Sequence, residues 1–146
     1  MTRRAPVIAP PGAVQRGSAT VELLVVAVGL LAFTAGLVGI GRLTDTRAAL
    51  AGVAREAARV AVEAPTPTEA IHTGQRRARL VATGYRLDPA RLQVTIDPAG
   101  LAPGGTLTVT ASYRVPLDDL PAVGVLPGQV TLVARQLEPI DPHRSR

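Results

Sequence analysis

Arg16-Gly17-Ser18-Ala19-Thr20-Val21-Glu22 opens the stretch that decides the fold, because it leads directly into nineteen residues, Leu23 to Gly41, without a formal charge. As an α-helix, this charge-free run extends for about 28 Å, close to the hydrocarbon thickness of a bilayer. The sequence therefore predicts a membrane-spanning helix. Glu22 needs an explanation, since a carboxylate in such a helix costs about 2.5–3.5 kcal/mol at mid-bilayer and less near the surface.

The composition leaves room for one small domain beyond this helix. The chain has 146 residues, a net charge of +5 and no cysteine, which excludes a thiolate nucleophile, a disulfide framework and a zinc–thiolate site. Without residues 1–17, 13 basic residues face 11 acidic ones, a surplus of +2. One Phe, two Tyr and no Trp provide no platform for stacking bases. Nucleic acid is therefore not an expected partner.

Three interpretations compete for the N-terminal region: a cleaved secretory signal, a plain membrane anchor, and a short leader followed by a helix that stays in the membrane. A secretory signal has an apolar core of about 7–15 residues that ends in a small-x-small site. Here the run is longer, and Ala32-Phe33-Thr34-Ala35 lacks that spacing. Arginines before the run outweigh those after it, which favours a cytoplasmic N-terminus and a C-terminal domain outside. Glu22 alone is compatible with either snorkelling to the headgroups or a function.

The residues around Glu22 resemble the cleavage region of type IV prepilins and pseudopilins, in which Glu22 would be the fifth residue after the Gly17-Ser18 bond. The longer string RGSATVELLVVAVGLLAFTAGLVGIGRLTDTRAALAGVAREAARVAV is similar to the TadE-like pilus assembly proteins, with a weaker similarity in Thr106 to Pro116 and Val130 to Glu138. The resemblance implies that a membrane-embedded aspartyl prepilin peptidase cuts after Gly17 on the cytoplasmic side. It also implies that Ser18 becomes the N-terminus and that Glu22 meets the terminal amine of a neighbouring subunit.

Beyond Gly41 the helical pattern becomes amphipathic, and no proline interrupts it before Pro65. We therefore expect one helix from about Ala19 to Ala64. Its apolar face beyond the membrane comprises Leu43, Leu50, Val53, Ala57 and Val60. Glycines in the membrane half either let neighbouring helices approach closely or are simply tolerated there. The candidate packing positions are Gly29, Gly36 and Gly39.

The remaining chain predicts a small head. Thr66-Pro67-Thr68-Glu69 is a capping box that starts a second helix, which extends to about Thr83 with Gly84 as its C-terminal stop. The arginines of this helix, Arg76, Arg77 and Arg79, are interpreted as a solvated face rather than as headgroup ligands. Period-two alternation then predicts a three-stranded antiparallel meander, packed on the second helix or on the end of the first, over Leu92–Ile96, Leu107–Val115 and Val130–Ala134.

The predicted fold class is therefore α+β and pilin-like: a long N-terminal transmembrane and amphipathic helix, a second short helix and a small three-stranded antiparallel sheet. We divide the chain into a leader, a membrane helix that continues as an amphipathic helix, an exterior α+β head and a polar tail, at residues 1–17, 18–64, 65–138 and 139–146. Asp118-Asp119 is interpreted as loop solvation. The sequence indicates no catalytic residues, no cofactor and no metal site.

These observations predict a membrane-anchored TadE-like pseudopilin that takes part in the assembly or initiation of a type IV-like (Flp/Tad) pilus. It would lie in the cytoplasmic membrane as a single-pass protein with its head outside, or in the pilus itself. Its expected partners are prepilin peptidase, other pilin-like subunits, pilus assembly membrane proteins and the lipid bilayer. The alternative is an uncleaved single-pass protein whose exterior domain binds cell-envelope or secretion components.

Overall fold

The computed structural model describes residues 14–120 and 127–142 and has the predicted α+β architecture. Two helices precede three strands: α1 (Val14–Glu63), α2 (Pro67–Gly84), β1 (Leu92–Asp97), β2 (Thr106–Pro116) and β3 (Gln129–Pro139). Short 3-10 turns occupy Pro89–Arg91, Ala99–Leu101 and Leu117–Asp119. Residues 1–13 of the predicted leader and residues 143–146 of the predicted tail lie outside the described residues.

Helix α1 is continuous over 50 residues, about 75 Å. It contains no proline, and its glycines do not interrupt it. The hydroxyl of Thr34, within the apolar half, donates to the carbonyl of Leu30 at 2.8 Å. This bond satisfies the hydroxyl within the helix itself.

Helix α2 returns beside α1 because Pro65 cannot continue the first helix. The Thr66 hydroxyl accepts a hydrogen bond from the Glu69 N–H at 3.3 Å, so Thr66 is the N-cap of α2, as predicted. The two helices meet through small side chains that are fully buried on α1 and α2, including Ala57, Ala61, Ala70, Ala78 and Ala82. Small residues at this seam let the two backbones approach closely.

The C-terminus of α2 differs in detail from the sequence prediction. Gly84 is the last helical residue, but the left-handed residue that follows the helix is Arg86, with φ of +59°. The N–H of Leu87 donates to the carbonyl of Ala82 at 2.9 Å, and the N–H of Arg86 donates to that of Thr83 at 3.0 Å. These two bonds form a Schellman motif, in which the left-handed position usually holds glycine.

The three strands form an antiparallel sheet in the order β1-β2-β3, as predicted. β2 is central, with Ala111 opposite Val94 on one side and Ala134 on the other. Its inward side chains are all buried: Leu107, Val109, Ala111, Tyr113 and Val115. The sheet packs on both helices, with β2 and β3 against α1 and β1 against α2. The meander thus covers the second half of α1 and one side of α2.

The hydrophobic core of the head begins at Leu50 of α1, which is fully buried. Leu43 and Ala49 pack against this core from its edge. The large apolar side chains from Val21 to Ile40 are exposed instead. The head therefore encloses only the C-terminal half of α1.

Gly74 provides a test of the helix seam. A Cβ added there would lie 3.1 Å from the Ala61 Cβ and 3.2 Å from the Ala57 carbonyl oxygen and would collide with the Ile96 side chain. Overpacking of this kind costs about 1–3 kcal/mol, so Gly74→Ala should lower the free energy of unfolding by about that amount. Gly84→Ala is the control, since nothing lies within 4 Å of its added Cβ. Circular dichroism melts in detergent should show a lower Tm for Gly74→Ala only; equal melts would contradict the packing.

Candidate membrane helix and its junction with the head

The apolar half of α1 has no cover within the described chain. Its large hydrophobic side chains are between 48% and 71% exposed: Val21, Leu23, Leu24, Val25, Val26, Val28, Leu30, Leu31, Phe33, Leu37, Val38 and Ile40. Burying one such side chain contributes about 1.5–3 kcal/mol. The free energy gained by covering all of them would therefore exceed the net stability of an ordinary domain, which is about 5–15 kcal/mol. By length and composition, α1 from Ala19 onward is the one helix in the described residues that can cross a membrane.

Glu22 lies on a definite face of this helix. Positions seven residues apart fall about 20° short of two full turns, so Glu22, Gly29 and Gly36 lie within about 40° of one another. The same seven-residue series continues to Leu43 and Leu50, which pack into the head. By the same drift Leu50 lies about 80° around the helix from Glu22 and about 40° from Gly36, so the glycines lie closer than Glu22 to the side of α1 on which the head is seated.

The three glycines proposed from the sequence as packing positions are not equivalent. A Cβ added at Gly29 or at Gly36 would meet nothing within 4 Å, so the backbone at both positions is open to a neighbouring helix. Gly39 is already buried. The open part of the glycine face thus comprises Gly29 and Gly36, one and two heptads after Glu22.

Gly17 and Ser18, at the predicted cleavage site, lie in the first turns of α1. The bond between them therefore belongs to a helical segment. Glycine weakens a helix by about 1 kcal/mol relative to alanine, which favours local unwinding at this bond. The structure describes the backbone here, and the roles of both residues remain predictions.

A cavity of about 710 Å³ lies where α1 enters the head. The side chains that line it comprise three arginines, two aspartates, four aliphatic residues, a tyrosine and a threonine: Arg42, Arg86, Arg91, Asp45, Asp119, Leu43, Leu87, Val115, Leu120, Tyr113 and Thr46. These residues come from α1, the end of α2, β2 and two 3-10 turns or the residues beside them. Sequence spacing gave no signal for a cavity assembled from such distant segments.

Asp119 organises one wall of this cavity. Its carboxylate accepts from Arg91 Nη1 at 2.6 Å, and its main-chain carbonyl accepts from Arg42 Nη1 at 3.2 Å. Arg91 is also 3.6 Å from the carboxylate of Asp88. The hydrogen bond that Arg91 donates to Asp119 raises the pKa of Arg91, which stays charged. Asp119 is exposed, as the sequence indicated, but it also joins α1 to the turn after α2.

The arginines in the middle of α2 lie far from this cavity. Arg77 donates to Glu56 at 2.8 Å, and that hydrogen bond is the main reason why the pKa of Glu56 is lowered. Glu56 follows Arg42 by fourteen residues, about 21 Å along α1. Arg77 is therefore a partly buried ion-pair partner that joins α2 to α1, which corrects its interpretation as part of a solvated face, whereas Arg76 and Arg79 are exposed as expected. Among residues 14–120 and 127–142, no group of three or more histidine or acidic side chains could hold a metal ion.

Comparison with known proteins supports the assignment of the N-terminal region. Residues 17–59 match the family model described as TadE-like protein, which confirms the resemblance seen in the sequence. The match covers the exposed apolar half of α1 and most of its head-packing half, and the sheet lies outside it. No curated protein and no solved structure gave a significant match. The family match and the candidate membrane helix fit a membrane protein associated with a Tad pilus.

Leu31 tests whether the exposed half of α1 lies in lipid. It is 71% exposed and close to the middle of the charge-free run. An arginine at the centre of a membrane helix costs about 2.5–3.5 kcal/mol, so Leu31→Arg should increase the fraction of the chain that alkaline extraction removes from membranes. Leu80→Arg is the control, because Leu80 of α2 is similarly exposed, at 66%, but belongs to the head. Equal extraction of both variants would contradict a membrane location of α1.

Proposed function

We propose that the chain is a TadE-like pseudopilin, anchored in the cytoplasmic membrane by α1, that takes part in the assembly or initiation of a type IV-like (Flp/Tad) pilus. One observation carries this proposal: the TadE-like match coincides with a helix whose first half is apolar on every side and uncovered by the described chain. Such a helix needs a lipid environment when it is inserted into the membrane. During assembly, helices of other subunits would replace part of that lipid.

The charges around the apolar run support an orientation with the N-terminus in the cytoplasm. Three arginines, Arg3, Arg4 and Arg16, precede the run without an acidic residue among them. After it, Arg42 and Arg47 are partly offset by Asp45. Positive charge favours the cytoplasmic side, so we infer that the head lies outside.

Cleavage after Gly17 by prepilin peptidase gives Glu22 a partner. The new terminal ammonium at Ser18 precedes Glu22 by four residues, about 6 Å along the helix axis. A neighbouring subunit displaced by a little more than one helical turn presents its own Ser18 amine at the level of this carboxylate. Pairing the two charges offsets the penalty that each one carries alone in lipid.

The same face of α1 suits close helix packing. Lipid provides no hydrophobic driving force between helices, so association depends on small residues and polar contacts. Glu22 supplies the polar contact, and the open backbone at Gly29 and Gly36 lets a second helix approach. We therefore assign the Glu22–Gly29–Gly36 face to contact with another pilin-like subunit.

The first test concerns the N-terminus. Intact-mass analysis of the protein purified from its native host should show a chain that begins at Ser18. The same host without its prepilin peptidase should retain the leader, which controls for cleavage by other proteases. A full leader in the unmodified host would reject the pseudopilin assignment in favour of the uncleaved single-pass protein with an exterior binding domain.

The second test concerns Glu22. Glu22→Ala should leave membrane insertion intact and reduce co-purification with pilin-like subunits by about five- to thirtyfold, since a polar contact between membrane helices contributes about 1–2 kcal/mol. Leu24→Ala is the control, because Leu24 lies about 200° around the helix from Glu22. Undiminished co-purification of Glu22→Ala, or an equal loss with Leu24→Ala, would contradict the role of this carboxylate.

A further inference from the structure

The cavity at the junction between α1 and the head lies at the end of the charge-free run. Arg42, which lines it, is the first charged residue after the charge-free run that ends at Gly41. If α1 spans the bilayer as proposed, and this inference rests on that anchoring, the cavity lies among the lipid headgroups on the side of the head. Leu43 and Leu120 add apolar surface to the same cavity.

Arg86 is in an unusual conformation for its residue type. Its φ of +59° is the left-handed conformation that the Schellman motif requires at this position. A residue with a Cβ is disfavoured there by about 1–2 kcal/mol, whereas glycine is not. An arginine that retains this strain while lining a cavity is a candidate for function.

The charge of Arg86 is also uncompensated. Its side chain makes no hydrogen bond or ion pair with the described part of the chain, whereas Arg42 and Arg91 are both held by Asp119. Three guanidinium groups and two carboxylates, Asp45 and Asp119, line the cavity, and Arg91 also faces Asp88. The cavity thus combines a free guanidinium, two positioned guanidinium groups and apolar surface.

We propose that this cavity binds the phosphodiester of an anionic glycerophospholipid, with Arg86 as the principal ligand and Arg42 and Arg91 beside it. A guanidinium presents a planar pair of donors that matches two phosphate oxygens. A phosphodiester carries one negative charge, which would pair with the guanidinium of Arg86, the one arginine of the cavity without an ion pair or hydrogen bond in the described part of the chain. The acyl chains would follow the exposed apolar surface of α1, and Leu43 and Leu120 would cover the glycerol end. Inorganic phosphate would leave this apolar lining in water.

The test measures which lipid the full chain retains. The protein is reconstituted into nanodiscs that contain equal amounts of phosphatidylglycerol and phosphatidylcholine, then extracted with mild detergent, and the bound lipids are counted by native mass spectrometry. The wild type should retain phosphatidylglycerol preferentially. Arg86→Gln should reduce this preference about fivefold, the usual effect of one basic residue near an anionic membrane surface.

Two further variants separate binding from folding and from total charge. Arg86→Gly should lose the same lipid preference while melting no lower than the wild type, because glycine relieves the left-handed strain. Arg79→Gln removes one exposed charge from α2, away from the cavity, and should retain the wild-type preference. An unchanged preference in Arg86→Gln, or an equal loss in Arg79→Gln, would overturn the proposal.

The source of the phosphate is tested by competition. Adding glycerol 1-phosphate or inorganic phosphate at concentrations equal to that of the lipid should not displace phosphatidylglycerol. Displacement by either soluble anion would overturn the assignment to a lipid. If the lipid preference is not observed, the proposals of cleavage before Ser18 and of pairing through Glu22 still stand. If the protein does not enter the nanodisc at all, the membrane anchoring on which both proposals depend is contradicted.

Discussion

The head of this protein covers only part of its long helix, and this mismatch in length underlies the other features. A continuous helix of 50 residues reaches about 75 Å, whereas the core of the head begins at Leu50. The remaining apolar surface cannot be buried within the described chain, because every described strand and the second helix are already packed around the C-terminal half. Lipid and neighbouring helices are the two environments that satisfy such a surface.

The two halves of α1 both carry small residues that allow close helix packing, but the driving force for packing differs between them. In the head, alanines and Gly74 form a seam narrow enough for α2 to lie directly against α1, and water drives this association. In the half proposed to lie in the membrane, small residues would give access without supplying a driving force. The proposed contact through Glu22 would contribute there what the hydrophobic effect supplies in the head.

Features governed by local periodicity could be predicted from the sequence. The alternation from Leu107 to Val115 predicted the central strand, and Thr66 to Glu69 predicted the start of α2, because each depends on contacts within a few residues. The family resemblance likewise resided in a contiguous segment. Features that depend on distant contacts were missed. The bridge from Asp119 to Arg91 and Arg42 joins segments up to 77 residues apart. Gly84 suggested the helix stop, yet hydrogen bonding places Arg86 in the left-handed position.

The continuity of α1 also has a mechanical consequence. No proline or helical break separates the head from the Glu22 face, so the continuous helix α1 fixes the orientation of one relative to the other. A partner that docked on one side of the head would thereby fix the direction, around the helix axis, in which Glu22, Gly29 and Gly36 point. In the proposed membrane-anchored assembly, subunits that meet through their heads would consequently also be aligned through their membrane helices.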